Sequence, residues 1–404
     1  IAHFNLGVLL GELDQPAEAL TEYRTALGFA PEFADAHSNL GATLMRLDRP
    51  DEAITAYRRA LELKPDFEGA WYNLGNALLE TLRPREAVAA FEHAIDLQAD
   101  YAAAHWNRGL AHLTAGDYAD GWEGYEWRWR VSDLKLTERQ FGCPRWQGEL
   151  LAGKTILVHA EQGLGDTLMF ARYLPMVAAR GGRIVLECQA PLTRLLEAMP
   201  CVAQVVAQGD PLPETHCHVP LLSLAKLFGT RLGSIPDEMP YLPTWTWSNR
   251  VPVLPEGKGL KVGVVWGGAA KPTRKRSVPL SLLEPLFGLK GVTWYSLQMG
   301  EHAAQLMDLP EAKRPHNLGP LIRDFSDTAA LVGQLDLVIS IDTSVAHLAG
   351  GLGANLLIGL ILHGIGRHQL QMEARAAELQ ASHERFRTLV ENISGVAFRR
   401  KPVT

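Results

Sequence analysis

Gly7, Gly41, Gly75 and Gly109 follow one another at intervals of 34 residues. A fixed period of this length means the chain is assembled from copies of one unit, each of which stacks on the next to bury a face it cannot bury alone. The same chemistry recurs around each glycine. Leu6, Leu40 and Leu74 precede it, and Leu10, Leu44 and Leu78 follow one helical turn later, lining one face of a first helix. Ala19, Ala53 and Ala87 come where two helices must approach closely. Tyr23, Tyr57 and Phe91 then fill the gap between neighbouring hairpins, followed by Ala26, Ala60 and Ala94. Pro31 and Pro65 stop the second helix, because proline lacks the backbone donor and clashes with the preceding turn. Ala99 stands where the third proline belongs, so that helix end is expected to be less sharply defined.

The period and these residues resemble tetratricopeptide repeats, which implies an all-α solenoid over residues 1–132 whose concave face binds a protein or peptide. The helical pattern is already under way at Ile1, so earlier repeats are expected ahead of it. The fourth unit drifts: Arg108 and His112 replace leucines, Gly121 replaces the alanine, and Tyr125 keeps the aromatic position, as in a terminal capping repeat. Its tail is dense in rings, with Trp122, Tyr125, Trp127 and Trp129. These rings either form a ligand surface or pack the last repeat onto the next domain, and the second reading is favoured because large aromatics dominate core and interface burial.

With 404 residues the chain exceeds one ordinary core, so several domains are expected. A formal charge of -6, from 39 basic and 45 acidic side chains, leaves no global positive field for a polyanion, and nucleic acid is not expected as a partner. Four cysteines at irregular spacing outline neither a zinc site nor a disulfide framework, and a reducing cytoplasm is the default location, with peripheral contact to an inner membrane the variant of it. His216, Cys217 and His218 adjoin, but neighbours in an extended segment point to opposite faces, so no metal site is expected there. No signal peptide is visible, and the longest apolar run, Leu356 to Leu362, falls far short of the roughly 20 residues that span a bilayer.

After a linker at 133–150 holding Pro144 and Trp146, strands alternate with helices, as parallel α/β sheets require. Thr155 to Ala160 reads as a strand, Glu161 to Asp166 as a turn, Thr167 to Ala179 as a helix and Arg183 to Glu187 as a second strand. Lys261 to Trp266, Thr293 to Leu297 and Leu337 to Ile341 form a second set, each trailed by a helical stretch. A proline-rich segment, Pro236 to Pro255, parts the two sets. The economical architecture is two Rossmann-like halves, residues 151–250 and 259–365, facing each other across a cleft.

Two motifs carry the chemistry. In Glu161-Gln162-Gly163-Leu164-Gly165-Asp166-Thr167, Gly163 and Gly165 allow a tight turn with backbone near a ligand, and Asp166 falls at a helix start. Asp166 either works on a ligand or caps the helix by accepting a backbone N–H. The second motif runs from Leu337 to Gly350, where a buried strand enters the polar turn Asp342-Thr343-Ser344 and then a helix carrying His347. Free backbone donors and the positive helix end suit a diphosphate there. The plainer alternative makes Asp342 or Thr343 an N-cap and His347 a packed or exposed side chain.

Gly-Leu-Gly-Asp-Thr and Asp-Thr-Ser-Val-Ala-His-Leu-Ala, at this separation, resemble the motifs of the family 9 glycosyltransferases, which include the bacterial lipopolysaccharide heptosyltransferases, over about residues 150 to 355. The resemblance implies a GT-B-like nucleotide-sugar glycosyltransferase with Asp166 as catalytic base and Asp342, Thr343, Ser344 and His347 on the nucleotide diphosphate. Ser344 stands where that family often has glycine. A basic residue ahead of a proline also serves the phosphates there; Arg276, in the cluster Lys271, Arg274, Lys275 and Arg276, is the nearest match, though such a cluster equally suits a solvated loop. The implied reaction is a single inverting displacement. No Asp-x-Asp occurs, in keeping with metal-independent transfer that needs no cofactor beyond the donor. The expected partners are a nucleotide-sugar, a glycan or protein acceptor, and a protein on the repeats.

Past Gly353 the resemblance stops, and the strand and segment that complete the nucleotide pocket in that family are expected to be missing. Residues 366–404 read as a C-terminal helix leading into Phe386 to Ile393, which resembles the opening of a PAS sensor domain after a signalling helix. The second half is therefore expected to be truncated and to bind donor weakly or not at all. Two other functions fit the same organisation: a non-catalytic repeat scaffold, and a protein O-glycosyltransferase whose solenoid presents the acceptor.

Overall fold

The computed structural model describes residues 1–243, 251–254, 259–268 and 277–358. Four antiparallel helical hairpins open the chain: α1 (Ala2–Glu12) with α2 (Pro16–Phe29), α3 (Ala34–Arg46) with α4 (Pro50–Leu63), α5 (Glu68–Glu80) with α6 (Pro84–Leu97), and α7 (Ala102–Ala115) with α8 (Tyr118–Tyr125). No strand precedes Asp133, so this part is an all-α solenoid. Pro16, Pro50 and Pro84 each begin a second helix, where the missing N–H costs nothing and the fixed φ is already helical. The turn before each proline holds one residue in the left-handed region, Asp14, Asp48 and Leu82, with φ of 59°, 59° and 57°. Aspartate tolerates that conformation; an exposed leucine does so at a cost.

The helix end at Ala99 corrects the expectation of blurring. α6 stops at Leu97, in register with Phe29 and Leu63, and Gln98 N–H bonds the Ala94 carbonyl as Lys64 N–H bonds that of Ala60. Proline therefore marks this boundary without being required for it.

Each repeat glycine sits where a ring lies. A Cβ on Gly41 would come within 2.7 Å of Tyr57, and one on Gly75 within 2.5 Å of Phe91. The fourth hairpin breaks the rule. Gly109 meets the backbone of Gly124 instead, where a Cβ would lie 2.7 Å from its carbonyl carbon. Tyr125 keeps the aromatic position in sequence but turns its ring, with Trp122, onto the core of the following sheet. Trp122 meets Phe170 edge-on at 5.8 Å, so these rings pack the last repeat onto the next domain. Trp127 stays with the repeats, stacked on His105 at 3.7 Å.

Two parallel sheets follow. The first contains β1 (Thr155–His159), β2 (Arg183–Cys188), β3 (Val202–Ala207) and β4 (Cys217–Pro220), ordered β3-β2-β1-β4. The helices α9 (Leu164–Phe170), α10 (Leu174–Ala178), α11 (Thr193–Glu197) and α12 (Leu224–Leu227) connect them. α9 begins at Leu164, earlier than the helix expected from Thr167. Alternation along the strands sends Ile156, Val158, Ile184 and Leu186 into the main core and Leu157 and Val185 to the other face, under Phe141 and Leu212. The segment expected as a linker is built into this unit: Pro144 and Trp146 bond the backbone of His218 on β4, and Trp146 is buried.

The second sheet is ordered β7-β6-β5-β8-β9, from β5 (Leu260–Val265), β6 (Val292–Ser296), β7 (His316–Asn317), β8 (Leu337–Ser340) and β9 (Leu356–Ile358), with α13 (Phe325–Val332) and α14 (Ser344–Gly351). Short 3-10 turns, such as Glu301–Asp308, stand where helices were expected after β5 and β6. β9 corrects the expectation that no strand follows Gly353: it pairs parallel with β8, Val338 opposite Leu356. Its apolar residues have the composition of a strand buried in a parallel sheet. The tail expected to be helical and PAS-like, 366–404, lies outside the described residues.

In each sheet the chain reverses its order between the first strand and its two neighbours, so a crevice opens at the carboxyl ends beside β1 and beside β5. The two crevices face one another. Leu348 of α14, Ala329 of α13 and Leu242 belong to the same buried cluster as the core of the first sheet. Arg194 of α11 donates to Asp327 of α13 at 2.7 Å and lies 3.2 Å from Asp324, which caps α13 by accepting from Ser326 N–H and Asp327 N–H. Asp327 is buried, so this ion pair fixes how the two sheets meet.

Candidate functional site

The turn between β1 and α9 is held from several sides. Gly163 is extended, with φ -72° and ψ 168°, and Asp166, in the first turn of α9, accepts the Gly163 N–H at 3.1 Å. Thr167 bonds Gln189, and Gln189 in turn donates to the Gln162 carbonyl at 2.6 Å. The capping alternative for Asp166 is thus realised by one oxygen, Oδ2.

Across the gap, β8 ends at Ser340, and Thr343 is the extended residue that begins α14. Ser340 Oγ and Thr343 Oγ1 are 3.0 Å apart, which holds the polar turn against the strand end. The first N–H groups of a helix have no acceptor within it, so the start of α14 offers donors to an anion. His347, one turn on, brings Nε2 to 3.5 Å from Asp342 Oδ1, and Asp342 is exposed. Gly165 explains how closely the two motifs pack: a Cβ there would lie 2.7 Å from the His347 ring and 3.6 Å from Ser344 Cα. Any larger residue at 165 would displace the histidine.

Gly163, Gly165, Asp166, Asp342, Thr343, Ser344 and His347 all line one cleft of about 1180 Å³. That volume is ample for a nucleotide bearing a sugar, since small-molecule sites run from about 300 to 1,000 Å³. A second depression, about 330 Å³ and lined by Thr193, Glu197, Gln204 and Asp210, contains none of the motif residues. Arg276 and its basic neighbours lie outside the described residues.

Three further cleft residues escaped sequence reasoning. Gln298 is buried, and its amide oxygen accepts from Trp266 N–H and Gly267 N–H while its nitrogen donates to the Gly267 and Met299 carbonyls. It thereby fixes the turn where β5 enters the cleft. His302 packs on Gly267, where a Cβ would come within 2.3 Å of the ring, and Arg323 is the one lysine or arginine on the cleft wall among the described residues. The Gly267-Gly268 pair after an apolar strand was the available signal for the first two; nothing local marked Arg323.

The repeat array holds a missed series as well. Asn5, Asn39, Asn73 and Asn107 recur at the 34-residue period of the glycines, on the first helix of each hairpin. Asn107 donates to Asn76 at 2.7 Å and to the Tyr72 hydroxyl at 3.2 Å.

His216, Cys217 and His218 do not converge: the His216 ring accepts Thr155 N–H, Cys217 is buried, and His218 lies beside His159 and Phe141. Among the described residues no helix is long and apolar enough to cross a membrane.

Residues 34–67 match a tetratricopeptide repeat model and residues 72–121 match a second one. Protein FlbA of Caulobacter vibrioides is 28% identical over 285 residues, covering 61% of this chain and 46% of its own length. The chain therefore spans about half the length of that relative. Among solved structures, MamA aligns at 25% identity over 31% of this chain and 74% of its own, with a TM-score of 0.30. MamA from Desulfovibrio magneticus RS-1 aligns at 21% identity over 33% and 73%, again with a TM-score of 0.30. YrrB, described as a TPR protein with an unusual peptide-binding site, aligns at 21% identity over 32% and 67%, with a TM-score of 0.31.

Proposed function

We propose that the chain transfers a sugar from a nucleotide-sugar donor to an acceptor hydroxyl, with the repeats engaging a protein partner or the acceptor. The observation that carries this reading is the meeting of the two motifs in the lining of one cleft, at the carboxyl ends of two parallel sheets. The strand orders are those of doubly wound halves, which supports a GT-B-like arrangement. The Asp166 carboxylate takes the proton of the acceptor hydroxyl as its oxygen attacks the anomeric carbon. The bond from that carbon to the phosphate oxygen breaks with inversion, and the diphosphate leaves with the electron pair.

The start of α14 at Thr343 and Ser344 receives the diphosphate. A helix end contributes about 0.3 to 1 kcal/mol toward an exposed anion, and up to about 2 when partly buried. Millimolar affinity already needs about 4 kcal/mol. Arg323, His347 and the walls around Gln298 supply the remainder in this reading, and β9 adds a strand to the sheet beside β8. Asn5, Asn39 and Asn73 of this series favour an extended peptide as the ligand of the repeats, because a side-chain amide both donates to and accepts from peptide backbone, while Asn107 is buried on Asn76 and Tyr72. A protein acceptor presented by the solenoid is the second reading that this series supports.

The test is a thermal-shift screen of the full chain with nucleoside diphosphates and nucleotide-sugars. One nucleotide class, at about 100 times its Kd, is expected to stabilise the folded chain by about 2.7 kcal/mol and so to raise the transition by several degrees. No shift with any of them would leave the repeat scaffold as the function.

A further inference from the structure

We infer that Arg128, at the end of the repeat array, is a positioning residue for the Gly163–Asp166 turn, so that the last repeat and the cleft form one mechanical unit. Arg128 has no solvent exposure. Its guanidinium donates to Glu126 at 2.7 Å, to Glu161 at 2.9 Å and to Ser223 at 2.8 Å. Glu161 is the first residue of the motif turn, and its carboxylate also accepts Leu222 N–H at 3.3 Å. The next residue is held from the same side: the Tyr125 hydroxyl donates to Gln162 Oε1 at 3.0 Å. Gly163 then donates its N–H to Asp166. Two residues of the repeats thus grip two consecutive residues of the turn, immediately ahead of the glycine that Asp166 holds.

The charges balance across this junction. Arg128 and Arg145 face Glu126 and Glu161, with Arg145 bonding Glu126 and Ser223. Such a buried, charge-paired set resists sliding, because moving one member strands a charge without water. The Glu161 side chain is 5% exposed and its Oε2 finds no hydrogen-bond partner, so the arginine, with the Leu222 N–H, keeps this carboxylate in place through Oε1. Burial pushes the Glu161 carboxyl up to about 7 against the pull of Arg128 and of the Leu222 N–H. The ring of Tyr125 and the indole of Trp129 flank the guanidinium at 5.1 and 4.7 Å, and the ion pair is sealed from solvent.

The inference rests on the proposed role of Asp166, so its test reads the turn itself. Amide hydrogen exchange is measured on the full chain for the parent, Arg128→Met, Arg128→Lys and Tyr125→Phe. Methionine fills much the same volume without pairing, whereas lysine keeps a charge for Glu161. Amides 162–167 are expected to exchange at least about tenfold faster in Arg128→Met, with partial rescue in Arg128→Lys, while β5 and β8 stay at parental rates. Tyr125→Phe removes one hydroxyl contact and is expected to speed the same amides about fivefold; it serves where Arg128→Met does not fold. Parental exchange at 162–167 in a folded Arg128→Met, equal rates for Met and Lys, or no change in Tyr125→Phe overturns the inference. If the turn loosens as expected but neither parent nor variants bind any nucleotide, the positioning stands and the transferase reading fails.

Discussion

Asp166→Asn is expected to lower sugar transfer by about 100- to 10,000-fold, the range typical of a lost general base. Asparagine keeps an oxygen where Oδ2 accepts the Gly163 N–H, so the turn and the start of α9 should persist. Asp166→Ala removes the cap as well and should cost about 1 kcal/mol of stability in addition. The pair of variants separates the two readings of this residue. A transfer assay on a donor identified by binding, with unfolding measured alongside, decides between them. Full turnover in Asp166→Asn, with instability confined to Asp166→Ala, would make Asp166 a cap and nothing more.

The second large effect concerns pH. His159, at the end of β1, is buried beneath Phe141 and lies 3.3 Å from His218. Burial, with smaller contributions from His218, Arg139 and Arg145, pulls its imidazole down to about 3. A histidine depressed in the folded state contributes stability that is present above its ordinary value of 6.5 and is lost as pH falls toward 3. Glu161 acts in the opposite sense: raised to about 7, it contributes stability below 4.5 that is lost as pH rises through 7. Between about 4.5 and 6.5 the two slopes oppose each other, so the parent curve alone hides both. The difference between His159→Leu and the parent isolates the histidine. At about 1.36 kcal/mol per pH unit, the variant should gain about 3 kcal/mol on the parent between pH 6.5 and pH 4. Denaturant unfolding at several pH values measures this, and a difference independent of pH would contradict the assignment.

Much of this architecture was legible because it rests on repetition and local pattern. Gly41 and Gly75 could be placed against Tyr57 and Phe91 from spacing alone, since the close helix approach demands a missing Cβ at one fixed offset from a ring. The strands beginning at Thr155, Arg183 and Leu337 were visible as apolar runs. Tyr125 was not legible in the same way. It keeps the repeat's spacing, yet Gly124 fills the space against Gly109 and frees the ring for the next domain. β9 is not legible because a short apolar run has no periodicity to tell a buried strand from a helical segment. Arg323 owes its position to the meeting of distant segments, and nothing in its neighbours' spacing announces it. The asparagines at 5, 39, 73 and 107 were readable by the period that found the glycines.

The central claim places a nucleotide diphosphate at the start of α14, facing Asp166. Calorimetric titration of the full chain with ADP, UDP and GDP, repeated on Ser344→Glu, tests it most directly. A carboxylate in the first turn favours the helix, so the variant should fold, yet it puts a negative charge where the diphosphate must sit. The account predicts a micromolar Kd for one nucleotide with the parent chain and at least about tenfold weaker binding in the variant, a difference of about 1.4 kcal/mol or more. No heat from any of the three with the parent, or equal affinity in Ser344→Glu, would contradict it.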